Sequence, residues 1–110
     1  MSELMLERDA GLAEVVRRLA TAYEPEQIYL FGSAARGELG PDSDYDLLVV
    51  VPDDAPPERR GSGLAYTVLW GTGIAVDAVV CTSAWFRART HLKASLPGTV
   101  IREGKLLYAA

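Results

Sequence analysis

Cysteine and histidine are almost missing from this chain of 110 residues, which contains one of each, Cys81 and His91. A single cysteine cannot form a disulfide within the chain, and the two residues together cannot make a zinc cluster. Long apolar runs are missing too, since no stretch approaches the roughly 20 residues that a membrane-spanning helix needs. The N-terminus lacks the basic start and apolar stretch of a signal peptide. We therefore expect a cytoplasmic protein that does not enter a membrane.

Positive charge is scarce in most of the chain, whose net charge is −4. Up to Asp77 there are six basic and fourteen acidic residues, whereas five basic residues and one acidic residue follow it. An acidic protein does not hold nucleic acid through its bulk charge, so direct nucleic-acid binding is not expected. The basic C-terminal part fits either a partner that carries acidic groups or phosphates, or a solvated helix face.

Helical and strand-like patterns alternate along a chain whose length predicts one domain over residues 1–110. Residues 2–23 carry a one-sided apolar stripe that is typical of an amphipathic helix. Short apolar runs predict four strands, and the segments between them predict further helices. The pattern favours an α+β fold, a mixed sheet with helices packed against it. The predicted strands are 27–31, 44–51, 74–81 and 105–108, and the further helices are 33–37, 58–70, 84–92 and 96–103.

Three aspartates stand in or beside predicted strands. Asp44 and Asp46 are two residues apart, so their side chains share one face of a strand. Asp77 interrupts the apolar run Ile-Ala-Val-Asp-Ala-Val-Val. A buried carboxylate persists only when it is paired, hydrogen-bonded or bound to a cation, and aspartates from two strands can make an oxygen pocket for Mg²⁺. Taken singly, Asp44 is also explained as a turn residue, and Asp77 as the solvated end of a strand.

A glycine–serine turn precedes these aspartates. Gly32 would let a phosphate approach the backbone closely, and Ser33 would cap the next helix and offer its hydroxyl to the same phosphate. The free amides of a helix N-terminus attract anions. Arg36, one turn further on, is within reach of a phosphate or an aspartate. Taken alone, a Gly-Ser pair is more commonly a plain turn with a serine cap.

The joint spacing is more specific than any of its parts: Gly32-Ser33, ten residues, Asp44-Tyr45-Asp46, and a third aspartate on a later strand. In this respect the chain resembles the polymerase-beta-like nucleotidyltransferase superfamily, and within it the smallest branch, the minimal nucleotidyltransferase (MNT) domains. The segment from Phe31 to Val51 carries most of the resemblance. The segment from Glu103 to Tyr108 is similar to the closing pattern of the family.

The resemblance implies a Mg²⁺-dependent enzyme that transfers a nucleoside monophosphate, foremost AMP from ATP, to an acceptor hydroxyl. Asp44 and Asp46 would bind two metal ions and the triphosphate. Asp77 would help to hold the metal that activates the acceptor, and it is a candidate general base. Gly32 and Ser33 would hold the β- and γ-phosphates, with Arg36 in a supporting role.

The resemblance also implies a partner, because MNT domains are commonly encoded beside small helical HEPN proteins as toxin–antitoxin pairs. In such pairs the MNT domain is the antitoxin and adds AMP to a tyrosine of the HEPN ribonuclease. Two alternatives stay open. The chain would neutralise its partner by occlusion, with nucleotide or metal binding only structural, or it would transfer a nucleotide to a small molecule or a nucleic-acid end.

Overall fold

A mixed four-stranded sheet in the order β3-β2-β1-β4 forms the centre of the fold. We describe residues 9–38 and 44–110 of this computed structural model. The central pair β1–β2 is antiparallel, β1 also runs antiparallel to β4, and β2 runs parallel to β3. The predicted α+β class is therefore confirmed. The strands are β1 (Gln27–Phe31), β2 (Tyr45–Val51), β3 (Val76–Thr82) and β4 (Lys105–Ala109).

Helices cover both faces of this sheet. The first face packs against α1 and α3, and the second packs against α4 and α5. A very short helix, α2, follows β1 directly. None of the helices in the described part of the chain is long and apolar enough to cross a membrane. The helices are α1 (Ala10–Tyr23), α2 (Gly32–Ala35), α3 (Gly63–Leu69), α4 (Ser83–Arg87) and α5 (Leu96–Glu103).

Helix α1 begins at Ala10 because the Asp9 side chain caps it, accepting a hydrogen bond from the Leu12 amide at 2.9 Å. It ends at Tyr23, and Glu24 then takes a left-handed conformation with φ 47°. The predicted apolar stripe is confirmed, since all of its residues are buried against the sheet. They are Leu12, Val15, Val16, Leu19 and Tyr23. Residues 2–8 of the predicted helix lie outside the described residues.

Strand β2 is buried on both faces, as its continuous apolar run predicts for a strand inside a sheet. Leu47, Val49 and Val51 belong to the core beneath α1, and Leu48 and Val50 belong to the core beneath α4 and α5. Each such side chain contributes roughly 1.5–3 kcal/mol when it is fully removed from water. The packing therefore anchors the strand that carries Asp46 from both sides.

The predicted helix over 58–70 is wrong in its first half. A 3₁₀ turn at Pro57–Arg59 comes first, and α3 begins only at Gly63. The buried Tyr23 hydroxyl occupies the break: it donates to the Gly61 carbonyl at 2.6 Å and accepts from the Ala65 amide at 2.9 Å. The chain at Gly61 thus bonds to a side chain of α1 instead of continuing a helix.

Other element ends differ from the prediction by a few residues. The helix predicted over 84–92 begins at Ser83 and stops at Arg87, and Thr82 caps it, accepting from the Trp85 amide at 3.4 Å. Strand β3 starts two residues late because Gly71 and Gly73 have positive φ and turn the chain before it. Helix α2 covers 32–35, a shorter span than the predicted 33–37.

Candidate active site

Sheet pairing brings two of the predicted site residues side by side. Asp46 and Asp77 are register partners on the parallel strands β2 and β3, so their side chains lie on the same face. Phe31, the last residue of β1, is the partner of Asp46 on its other side. Asp44 lies immediately before β2 and is exposed. The three carboxylates therefore gather at one end of the central strands, beside the turn that follows β1.

The three aspartates differ in burial, and not all of them are buried as a strand position suggests. Asp46 is half-buried, whereas Asp44 and Asp77 are exposed. Of the two explanations that the sequence left open for Asp77, a buried charge inside an apolar strand is wrong and the solvated end of a strand is confirmed, because Asp77 is exposed at the second residue of the edge strand β3. Water can therefore solvate the Asp77 carboxylate without a bound cation. Its position beside Asp46 still concentrates negative charge.

The half-buried carboxylate of Asp46 feels the negative charge of its neighbours. The pKa of Asp46 lies above its usual value, first because of burial and then because of the negative charges of Asp77 and Asp44. Like charges placed directly opposite on neighbouring strands also destabilise a sheet. A bound cation would offset both penalties, so the site favours positive charge.

Gly32 brings the backbone against this carboxylate. Its φ is 71°, a conformation that other residues seldom adopt, and a Cβ there would overlap Asp46 Oδ2. The sequence predicted a close approach at Gly32, and the structure has one, with the Asp46 carboxylate as the neighbour. Contact between Gly32 and a phosphate stays a prediction.

Ser33 and Arg36 are placed differently from what their sequence positions suggested. Ser33 does not cap α2: Phe31 is the N-cap residue and makes no side-chain capping bond, because the helix already starts at Gly32. Arg36 directs its guanidinium to Glu38 at 2.9 Å and to Glu103 at 3.9 Å, so it ties the end of the turn to the end of α5. Roles for either residue in holding phosphates stay predictions.

The oxygen ligands at this site suit Mg²⁺, which needs only a few protein ligands, better than a metal ion that is bound entirely by side chains. Within residues 9–38 and 44–110, no three histidine, cysteine or acidic side chains form a group that could hold a metal ion by themselves. Mg²⁺, however, keeps several waters and is commonly held by one or two carboxylates together with substrate phosphates. Asp46 and Asp77, with Asp44 nearby, offer that kind of partial oxygen shell.

Two residues near the site were missed by the sequence analysis. The Tyr45 hydroxyl, on the strand position between Asp44 and Asp46, donates a hydrogen bond to Asp9 Oδ2. An aspartate just before an apolar stripe signals a helix cap, and Asp9 is that cap. No local pattern links it to a tyrosine 36 positions later, since that contact depends on the tertiary fold.

Replacing Asp46 with asparagine should stabilise the protein, because it removes the partly buried member of a like-charged group. We expect the free energy of unfolding at pH 7 to rise by about 0.2–1 kcal/mol, the range for cross-strand pairs. The pKa of Asp46 is raised in the folded state, so protonation relieves the wild-type penalty and the gain should shrink as the pH falls through that pKa. Urea unfolding at several pH values measures both effects.

The matched control is Asp54→Asn, a change at an exposed aspartate outside the site, which should leave stability nearly unchanged. If Asp46→Asn were less stable than the wild type at pH 7, the Asp46 carboxylate would be a stabilising group, and our electrostatic description of the site would be wrong.

Solved structures share this arrangement of strands and helices. A candidate nucleotidyltransferase of Sulfolobus solfataricus is 22% identical, with TM-score 0.59, over 91% of this chain and 78% of that one. A toxin–antitoxin structure with AMP-PNP is 28% identical, with TM-score 0.60, over 88% and 73% of the two chains. A mutant of the toxin–antitoxin MntA-HpeT, which has two Asp→Glu changes two residues apart, is 22% identical, with TM-score 0.61, over 89% and 73%.

Sequence comparison gives the family directly. No curated protein sequence matches the chain. The sequence profile described as Nucleotidyltransferase domain matches residues 12–104, a span that includes the glycine–serine turn, the three aspartates and the strands β1, β2 and β3. This chain therefore belongs to the nucleotidyltransferase domain family.

Proposed function

We propose that the chain is a Mg²⁺-dependent nucleotidyltransferase that moves AMP from ATP to a hydroxyl of a partner protein, as the antitoxin of a toxin–antitoxin pair. The observation that carries the proposal is the placement of Asp46 beside Asp77, with the Gly32 backbone against the Asp46 carboxylate. Family membership supports nucleotidyl transfer. The acceptor, the nucleobase of the nucleotide and the metal ion go beyond family membership and are part of our proposal.

In this proposal the three carboxylates have different roles. Asp44 and Asp46 hold the metal and, through it, the triphosphate, while Asp77 faces the acceptor from the open edge of the sheet. When bound, Mg²⁺ neutralises charge on the phosphates and makes the acceptor oxygen easier to deprotonate. The acceptor oxygen forms a bond to the α-phosphorus, the bond from that phosphorus to the bridging oxygen breaks, and pyrophosphate leaves. The acceptor proton passes to an Asp77 oxygen.

Gly32 and Ser33 hold the β- and γ-phosphates in this scheme. Because Gly32 has no side chain, its backbone fits directly against the Asp46 carboxylate, so a phosphate bound to the turn would lie next to the carboxylates that hold the metal. Arg36 keeps the turn in place through Glu38 and Glu103.

One related structure supports the choice of ATP, and another has a pair of aspartates with the spacing of Asp44 and Asp46. One toxin–antitoxin relative was solved with AMP-PNP, an analogue of ATP. In the MntA-HpeT mutant, two aspartates with the spacing of Asp44 and Asp46 were changed to glutamate. These observations concern the relatives, and we extend them to this chain as part of the proposal.

An exposed aromatic surface beside the site suits a protein acceptor. Trp70 is 84% exposed and Tyr66 is 59% exposed, and both line a hollow of about 380 Å³ whose wall continues through residues 71–76 into β3. Trp and Tyr dominate the binding energy of many protein interfaces. Asp77 is the next residue along β3, and its side chain projects from the opposite face of the strand to Val76. A helical HEPN-type partner seated on this hollow would therefore present its acceptor tyrosine to Asp77 around the open edge of the sheet.

Transfer itself is tested by incubating the purified chain with Mg²⁺, each nucleoside triphosphate and, if the genome encodes one nearby, a helical HEPN-type protein, then measuring intact protein masses. We expect a mass gain of one or more AMP units on the partner with ATP. Asp46→Asn should lower the rate by at least about 100-fold, as loss of an essential electrostatic group typically does. Asp54→Asn should retain the wild-type rate.

Complete inhibition of the partner without any nucleotide, together with no mass gain, would contradict the proposal and favour the occluding module. Transfer to an added small molecule or to a nucleic-acid end, with none to protein, would favour the other alternative.

The partner surface is tested by Trp70→Ala. Loss of an interface tryptophan commonly costs about 2 kcal/mol or more, so we expect partner binding to weaken roughly 30-fold, measured by calorimetry. ATP binding should not change, because the indole lies in the hollow and outside the carboxylate group. The control is Ile101→Ala, which removes a similarly exposed apolar side chain (51%) from α5 and should leave partner affinity unchanged. Equal affinities for both variants would place the partner elsewhere.

A further inference from the structure

The contact between Tyr45 and Asp9 lies directly behind the carboxylates. We infer that these two side chains form a clamp that positions Asp44, Asp46 and Asp77 for metal binding. This inference rests on the proposed function and adds two positioning residues to it. Neither residue touches the reacting groups, so both would act through the strands that carry the aspartates.

Asp9 uses its two carboxylate oxygens for two different elements. Oδ1 accepts a hydrogen bond from the Leu12 amide at 2.9 Å and so caps α1. Oδ2 accepts from the Tyr45 hydroxyl at the first residue of β2. One side chain thereby joins the start of a fully packed helix to the start of the strand that bears Asp46.

The backbone of Tyr45 connects these two elements to a third one, the start of β3. Its amide donates to the Ala75 carbonyl at 3.0 Å, one residue before β3 and two residues before Asp77. The preceding residue, Ile74, packs against the first turn of α1, where a Cβ on Gly11 would lie only 2.6 Å from Ile74 Cδ1. The starts of α1, β2 and β3 therefore meet around Tyr45.

The clamp and the carboxylates lie on opposite faces of the sheet. Side chains alternate along a strand, so Tyr45 points towards α1 while Asp44 and Asp46 point the other way. Tyr45 is the first residue of β2, and strand ends open more readily than strand centres. Repulsion between Asp46 and Asp77 acts to separate the two strands at this end. The clamp opposes that separation and keeps the carboxylates within reach of one cation.

The experiment compares the wild type, Tyr45→Phe, Asp9→Ser and the double variant in two measurements, the Mg²⁺ affinity by calorimetry with AMP-PNP present, which should fall about 10- to 100-fold in each variant, and the Mg²⁺ dependence of transfer. Serine retains the ability to cap α1 but lacks the second oxygen. Each single variant should need about 10- to 100-fold more Mg²⁺ for half-maximal rate, the range for residues that orient metal ligands. The double variant should be no worse than the singles, since both remove the same contact. Saturating Mg²⁺ should restore most of the rate.

The control variant Tyr23→Phe shows whether a loss of stability alone changes the Mg²⁺ dependence. It removes the hydrogen bonds to Gly61 and Ala65, far from the carboxylates. It should lower stability while keeping the wild-type Mg²⁺ dependence. If the wild type is active and the clamp variants keep its Mg²⁺ dependence, the clamp is wrong and the proposed function stands. If the wild type transfers no nucleotide to any acceptor, the proposed function fails and the clamp inference fails with it.

Discussion

The close approach of the Gly32 backbone to the Asp46 carboxylate is the constraint on which the rest of the site depends. Antiparallel pairing of β1 with β2 places the turn after Phe31 beside Asp46, and parallel pairing of β2 with β3 places Asp77 on its other side. Gathering negative charge in this way is unfavourable for the protein alone. It is sustained because β2 is buried on both faces, and it gives the site a preference for a cation.

Periodicity made much of the fold predictable. The apolar stripe of α1 and the continuous apolar run of β2 are local patterns, and both lie in the predicted elements. The predicted helix over 2–23 is wrong at Asp9, however, because this residue is an extended cap and α1 begins at Ala10. The break at Gly61 was missed because it depends on the Tyr23 hydroxyl, 38 positions away. The late start of β3 was missed because the positive φ values of Gly71 and Gly73 are visible only in the structure.

The residues of the site could be predicted from the sequence, but their arrangement in space could be predicted only in part. Spacing alone placed Asp44 and Asp46 on one face, but the pairing of Asp46 with Asp77 depends on the sheet order, which no local pattern contains. For the same reason the sequence suggested a buried Asp77, although β3 turned out to be an edge strand. In the proposed function this exposure matters, since an exposed Asp77 at the edge of the sheet would be open to a large acceptor.

Magnesium titration of two glycine variants tests the central claim most directly. Gly32 and Gly37 have similar φ values, 71° and 76°, so alanine costs each a comparable strain of roughly 1–2 kcal/mol. Only at Gly32 would the new Cβ meet Asp46, because no atom in the described part of the chain lies within 4 Å of a Cβ at Gly37. Calorimetry with Mg²⁺ and AMP-PNP should show at least about tenfold weaker metal binding for Gly32→Ala and near wild-type binding for Gly37→Ala. Equal Mg²⁺ affinity in the two variants would contradict the account.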